Sequence, residues 1–137
     1  MLHEKIRYTL GKTERLKSRK VIEQLFKDGK SFSIFPFRIV WKYQPAEAEI
    51  LQAGFTVSTK HFKKAVDRNR IRRLMKEAYR LQKNNLQQQL KIYNKPAGIF
   101  IIYVGKELPE YKLVFEKMSL VLERLQKITN ENSKANS

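Results

Sequence analysis

Residues 54–78 of this 137-residue chain read GFTVSTKHFKKAVDRNRIRRLMKEA, an apolar strand pattern followed by a strongly cationic helix pattern. From residue 65 onward, apolar side chains recur at intervals of three and four residues, which places them on one face of a helix. Those side chains are Ile71, Leu74, Met75 and Ala78. The pattern predicts a helix that packs on a core with one face and presents cations on the other.

The density of positive charge on this helix indicates a polyanionic partner. Residues 60–83 contain ten Lys or Arg and only two acids. From Arg68 to Arg80 the cations repeat every four residues, a spacing at which like charges destabilise an isolated helix by about 0.2–0.5 kcal/mol per pair. A bound anion would relieve that repulsion, so we favour a binding surface over a merely solvated one. Arginine dominates the centre, and its planar fork can hold a phosphate through two donors.

The candidate RNA contacts comprise the cationic helix and the basic connection before it. His61 lies in that connection, where contact with RNA is favoured over general-base chemistry. Asn69 has two interpretations: a helix cap, or a neutral donor and acceptor for a phosphate, a 2′-hydroxyl or a metal-bound water. The full set is Lys60, His61, Lys63, Lys64, Arg68, Asn69, Arg70, Arg72, Arg73, Lys76 and Arg80.

Composition narrows the function classes further. The net charge is +16, and most of the excess lies in residues 1–30 and 58–83, as expected for a footprint on nucleic acid. There is no Cys, and the two histidines are far apart, so we expect neither a disulfide nor a protein-borne metal site. No catalytic set of side chains and no Gly-rich phosphate loop is evident. The chain also lacks a membrane-length apolar run, which favours a cytoplasmic protein.

Periodicity along the chain predicts a single domain. We expect a flexible basic arm at residues 1–12, an RNA-binding domain at residues 13–128 and a disordered tail at residues 129–137. The predicted elements are a helix over 13–27 capped by Thr13, strands over 35–43 and 50–58 joined as a hairpin, a helix over 65–88, a strand over 99–104 and a helix over 108–128. This order predicts a two-layer α/β (α+β) sandwich with a small mixed sheet, one side of which is only partly covered.

Alternation along the first two predicted strands separates an aromatic face from a face of small and cationic groups. With the first helix as a wall, the second face could form a groove for single-stranded nucleic acid. A half-exposed antiparallel sheet with no binding role explains the same pattern, and from the pattern alone we favour that explanation. The candidate groove residues are Ile22, Phe26, Arg38, Val40, Lys42, Thr56 and Ser58.

Two segments resemble the signature of the bacterial ribonuclease P protein subunit. They are Val-Ser-Thr-Lys at residues 57–60 and Lys-Lys-Ala-Val-Asp-Arg-Asn-Arg-Ile-Arg-Arg-Leu at residues 63–74. The resemblance covers about residues 13–128 and includes Arg15-Leu16-Lys17, Phe26 and Gly29. The chain departs from the family pattern at Thr59-Lys60, where the family usually has two lysines, so it has one cation fewer at this point.

The resemblance implies a partner, a reaction and a fold. The partners would be the catalytic RNA of ribonuclease P, in a 1:1 ribonucleoprotein, and precursor tRNA, with no membrane and no obligate protein partner. The reaction would be endonucleolytic removal of the 5′ leader, carried out by the RNA and the Mg²⁺ ions that it holds, the protein being an accessory subunit without an active site. The basic helix would dock on that RNA and the cleft would hold the leader. The fold would be a four-stranded, ribosomal-protein-like one with a left-handed crossover at the basic helix.

Two other function classes remain as alternatives. A non-catalytic ribosomal or assembly-type RNA-binding protein would share the cationic helix but would not discriminate precursor from mature tRNA. A membrane-surface helix is weakly supported, because the apolar stripe lacks aromatic residues and is needed by the core.

Overall fold

A computed structural model describes residues 10–135, so most of the predicted arm at residues 1–12 and the last two residues of the predicted tail lie outside it. Within that range there are four strands, four α-helices and a short 3-10 helix. In chain order these are the 3-10 helix Lys12–Glu14, α1 (Arg19–Asp28), β1 (Lys30–Ile34), β2 (Phe37–Tyr43), β3 (Leu51–Val57), α2 (Ala65–Gln82), α3 (Asn84–Tyr93), β4 (Ala97–Tyr103) and α4 (Tyr111–Ala135). Of these described helices, none is both long and apolar enough to span a membrane.

The strands form one mixed sheet in the order β1-β2-β4-β3. β2 pairs antiparallel with both β1 and β4, and β3 runs parallel to β4 at the opposite edge. The predicted hairpin between residues 35–43 and 50–58 is therefore wrong, because β4 lies between β2 and β3. β4 is apolar on both of its faces, and a central position is where such a strand is covered on both sides.

Strand β1 is an element that the sequence pattern did not predict. It has only two apolar residues, Phe32 and Ile34, and both pack against the main core. The alternate positions, Ser31 and Ser33, are exposed. A five-residue edge strand with one polar face carries little periodic signal, which is why it escaped prediction.

Helices cover the two faces of the sheet unequally. On the first face, the buried residues of α2 and α4 form one core with the aromatic side of β2, where Phe37, Ile39 and Trp41 are at most 2% exposed. On the second face, α1 covers only part of the sheet, through a small cluster built on Leu25 and Val40. This confirms the predicted two-layer sandwich with one partly covered side.

Helix α1 begins later than predicted. Its N-cap is Ser18, whose Oγ accepts a hydrogen bond from the backbone N–H of Val21 at 3.4 Å, so the predicted cap at Thr13 is wrong. The residues before Ser18 follow the exposed edge of β3, where the N–H of Leu16 donates to the carbonyl oxygen of Ala53 at 2.9 Å. An edge strand offers unpaired backbone groups, and here they hold residues that helical periodicity assigned to α1.

The other helices also differ from their predicted limits. The helix predicted over 65–88 is two helices, α2 and α3, which break at Lys83. The predicted disordered tail is wrong for residues 129–135, because α4 continues to residue 135. Thr129 is buried there, and its Oγ1 accepts a hydrogen bond from Gln89 Nε2 on α3 at 2.6 Å. Polar side chains stabilise this last segment, so hydropathy gave no sign of it.

We expect Gly29→Ala to lower the free energy of unfolding by about 1–3 kcal/mol, the usual cost of forcing extra volume into a packed site. A Cβ at this position, between α1 and β1, would lie 2.3 Å from the carbonyl oxygen of Leu25 and 3.0 Å from that of Trp41. Both neighbours are backbone atoms, which cannot swing away. Urea unfolding measures the loss, with the exposed Ser31→Ala as control. Equal stability of the two variants would contradict the predicted clash.

Candidate nucleic-acid interface

Helix α2 presents a cationic face opposite the face that it buries. Ile71, Met75, Ala78 and Tyr79 are buried against the sheet and α4, which confirms the predicted packing stripe. The exposed face and most of the basic connection before it are open to solvent, whereas His61 is half-buried and Phe62 is buried in the core. The exposed polar and cationic residues of this region are Lys60, Lys63, Lys64, Asn69, Arg70, Arg73 and Lys76.

Arg68 is turned toward the protein's own backbone. Its guanidinium donates hydrogen bonds to the carbonyl oxygens of Phe62 at 2.9 Å and Lys63 at 2.8 Å. These two bonds hold the basic connection against the first turn of α2. Arg68 stays a predicted RNA contact, and these hydrogen bonds also give it a role in shaping the surface that carries the other cations.

Four further polar side chains of α2 form two pairs with one another. Arg72 donates to Asn69 Oδ1, so Asn69 orients an arginine and does not cap the helix, whose N-cap is Lys64. Arg80 and Glu77 form a two-point ion pair with N···O distances of 2.8 and 2.6 Å. The Arg80 hydrogen bonds lower the pKa of Glu77 from its ordinary value, so this carboxylate stays ionised beside the cationic face.

A concave surface of about 430 Å³ lies beside α2. It is lined by three cations of α2 and by Arg15, which comes from the segment along the β3 edge. Sequence analysis did not place Arg15 among the candidate contacts, because only the three-dimensional path of residues 10–16 brings it to α2. The cations that line this concave surface are Arg15, Arg73, Lys76 and Arg80.

The second face of the sheet contains an open row of side chains beyond α1. Strand register places Ser33, Arg38, Ile102 and Thr56 side by side on this face, one from each strand. All four are exposed or half-buried. Neighbouring strands are about 4.8 Å apart, so the row spans roughly 14 Å.

Two of the predicted groove residues lie away from this row. Val40 is only 3% exposed and packs under α1 against Leu25, so it belongs to the core. Lys42 lies on the other side of Val40 along β2, where its ammonium is 3.7 Å from the carboxylate of Asp28 at the end of α1. Helix α1 crosses the sheet between Arg38 and Lys42. The prediction of Val40 as a groove residue is therefore wrong.

Aromatic side chains form the wall of the groove next to α1. Phe26 is 51% exposed, and its ring meets Phe100 of β4 edge-on with centroids 5.6 Å apart. Ile22 packs beside them, and Phe100 and Ile102 are half-buried. Sequence analysis missed Phe100 and Ile102 because an apolar run such as residues 99–104 does not show which of its faces is left open. We define the groove as Phe26, Arg38, Thr56, Phe100 and Ile102.

The groove and the cationic face of α2 begin at the same end of the sheet. Thr56 is followed by Val57, the last residue of β3, and then by Ser58, whose N–H donates to the carbonyl oxygen of Tyr103 at 3.0 Å. The basic connection starts there and leads directly into α2. A strand of nucleic acid in the groove could therefore pass directly to a partner bound on α2.

We expect Arg68→Ala to lower the free energy of unfolding by about 1–3 kcal/mol, because it removes two charge-assisted hydrogen bonds to carbonyl oxygens. The exposed Arg73→Ala is the matched control and should unfold at the wild-type urea concentration. If the two variants were equally stable, Arg68 would not be the structural residue that its hydrogen bonds indicate.

The sequence and the fold of this chain are similar to those of known proteins. A family model described as Ribonuclease P matches residues 10–126. The ribonuclease P protein component of Porphyromonas gingivalis is 37% identical over 123 residues, which is 86% of this chain and 87% of that protein. That of Chlorobium phaeobacteroides is 29% identical over 129 residues, 86% and 88% of the two chains. The solved structure of the Thermotoga maritima RNase P protein has a TM-score of 0.63 and 27% identity, covering 81% of this chain and 96% of that one.

The mixed four-stranded sheet and its cationic helix define a small protein of the α+β class with a surface suited to a polyanion. The family match over residues 10–126 makes the identification specific. This chain belongs to the ribonuclease P protein component family. The match does not favour a general ribosomal or assembly protein.

Proposed function

We propose that this chain binds the catalytic RNA of ribonuclease P and the 5′ leader of precursor tRNA, and so assists endonucleolytic removal of the leader. One observation carries the proposal: the exposed cations of α2 and the groove of Phe26, Arg38 and Thr56 adjoin at one end of the sheet. Two binding surfaces placed this way can hold a folded RNA and a single strand that leaves its cleavage site.

The two surfaces suit different features of RNA. Arg70, Arg73 and Lys76 are exposed on one helix face, and a folded RNA presents rows of phosphates that such a face can neutralise. The groove combines one cation, Arg38, with the partly exposed rings of Phe26 and Phe100. An aromatic surface beside a positive charge binds single-stranded nucleic acid with little sequence preference, because every base can stack. Leaders of different sequence require such tolerance.

The chemistry in this proposal belongs to the RNA. The RNA and the Mg²⁺ ions that it holds would hydrolyse the phosphodiester bond, and the protein would supply binding energy and charge neutralisation. We expect a 1:1 ribonucleoprotein in the cytoplasm, with no obligate protein partner. The protein's cations would reduce the repulsion between two polyanions, which otherwise requires a high Mg²⁺ concentration.

Reconstitution tests the proposal directly. Purified protein is mixed with the ribonuclease P RNA of the same organism, and leader removal from precursor tRNA is followed at low Mg²⁺. We expect rapid cleavage only when both components are present. An unrelated basic protein of equal net charge serves as control for simple charge neutralisation. Equal stimulation by the two proteins would argue against a specific role for this chain.

A further inference from the structure

A buried ion pair links the end of the cationic helix to the segment that precedes α1. Lys83, at the break between α2 and α3, is 1% exposed, and its ammonium donates to a carboxylate oxygen of Glu14. The Glu14 side chain is itself only 13% exposed. Lys83 is the last cation of the basic stretch at residues 60–83, yet its burial excludes it from the RNA-facing surface.

Glu14 is held by more than this one contact. Its carboxylate also accepts hydrogen bonds from the backbone N–H of Gly11 at 2.8 Å and from Gln87 Nε2 of α3 at 3.2 Å. Burial alone would raise the pKa of Glu14, but the hydrogen bonds from Lys83 and Gly11 outweigh it and lower the pKa. Glu14 is therefore the ionised centre of a polar cluster that joins three parts of the chain.

The segment around Glu14 leads directly to the groove wall. Gln52 Nε2 donates to the carbonyl oxygen of Thr13 at 2.9 Å, and the bond from Leu16 N–H to Ala53 fixes the next turn against β3. Ser18, only four residues after Glu14, caps α1. With so short a connection, the hydrogen bonds of Glu14, Thr13 and Leu16 together fix the start of α1.

Helix α1 has few other anchors. Leu25 is its only buried residue, and its cluster on the second face contains three buried side chains, whereas the main core contains twenty-two. A helix held by so little apolar surface depends on its ends for position. The Glu14 cluster and the buried side chain of Leu16 anchor its N-terminal end.

We infer that the buried Glu14–Lys83 ion pair positions α1 relative to the cationic helix α2, and thereby sets the width of the groove between α1 and the open row of the sheet. Both residues act as positioning residues and neither touches RNA. The pair would make the two RNA-binding surfaces one rigid unit. The consequence for precursor tRNA rests on the function proposed above, whereas the structural linkage does not.

Hydrogen exchange of the free protein tests the linkage without any RNA. Lys83→Met keeps the length of the side chain but leaves the buried Glu14 carboxylate without its cation. We expect amides of residues 15–28 to exchange at least tenfold faster, while those of β4 change much less. Lys127→Met, at an exposed site on α4, is the matched control and should exchange like wild type. A uniform acceleration in α1 and β4 alike, or none in α1, would overturn the inference.

Precursor discrimination tests the effect on the groove. In reconstituted holoenzyme, Lys83→Met should reduce the ratio of precursor to mature tRNA affinity at least fivefold while affinity for the catalytic RNA stays within twofold. Should Lys83→Met fail to fold, Glu14→Gln, which keeps hydrogen-bonding atoms in place, should show both effects at smaller size. An unchanged ratio would overturn the inference that the ion pair sets the width of the groove. If wild type itself fails to discriminate, the proposed function fails, and the exchange result still decides the linkage.

Discussion

Replacing Arg70 and Arg73 together with alanine should weaken binding to the ribonuclease P RNA by about a hundredfold at 0.1 M salt, if each guanidinium contributes about 1.5 kcal/mol to a phosphate contact. Both side chains are exposed, and neither guanidinium donates a hydrogen bond to another residue within residues 10–135. Their removal should therefore leave the fold intact. The dependence of log K on log salt should also flatten by about 0.7–0.9 for each phosphate contact removed. Filter binding over a salt series measures affinity and slope together.

The controls distinguish the loss of a specific binding surface from a general effect of net charge and from a loss of stability. Lys112→Ala/Lys127→Ala removes two exposed charges from α4 and should leave the affinity almost unchanged. Thermal unfolding of Arg70→Ala/Arg73→Ala should match wild type, in contrast with Arg68→Ala. An equal loss of affinity in the α4 variant would mean that charge alone drives binding. A large loss of stability would mean that Arg70 and Arg73 are structural.

Phe26→Ala/Arg38→Ala should lower the affinity of the holoenzyme for precursor tRNA by about ten- to a hundredfold, because stacking on an aromatic ring contributes about 1–3 kcal/mol per base. Phe26 is half-exposed beside Phe100, and Arg38 is exposed in the open row of the sheet. Affinity for mature tRNA, which lacks the leader, should stay at the wild-type value. Competition binding with both tRNAs gives the ratio directly.

Lys42→Ala provides a control from the same strand. Lys42 lies four residues from Arg38 but across α1, near Asp28, so its loss should leave the precursor-to-mature ratio unchanged. If Lys42→Ala reduced the ratio as strongly as Phe26→Ala/Arg38→Ala, the leader would cross the sheet along a different path. Equal losses for precursor and mature tRNA in the double variant would remove the leader from the groove altogether.

Features that depend on local periodicity were predictable from the sequence. The buried stripe of α2 and the inward face of β2 follow from spacings of 3.6 and 2 residues, which neighbouring residues alone determine. Strand order was not predictable in this way. Pairing of β4 with both β2 and β3 joins residues far apart in the chain, and hydropathy does not specify such partners.

The same limit applies to the candidate interface. Sequence placed Arg68, Arg70 and Arg73 in one group, because all three are arginines of one helix. Only the three-dimensional structure shows that Arg68 donates to backbone carbonyl oxygens, whereas Arg70 and Arg73 face solvent. Lys83 is buried and paired with a carboxylate 69 residues earlier in the chain. The prediction for Val40 failed for a comparable reason, because the position of α1 decides which side chains of the sheet this helix covers.

The most direct test of the docking surface uses a chemical probe attached to the protein. The chain has no Cys, so a single introduced one is unique. Val66 on α2 and Ile92 on α3 are 76% and 78% exposed, and they lie toward opposite ends of the sheet. Fe–EDTA attached to Val66→Cys should cleave the bound ribonuclease P RNA at discrete positions, whereas the same probe on Ile92→Cys should give little cleavage. Strong cleavage from Ile92→Cys and none from Val66→Cys would show that the RNA does not dock on the cationic face of α2.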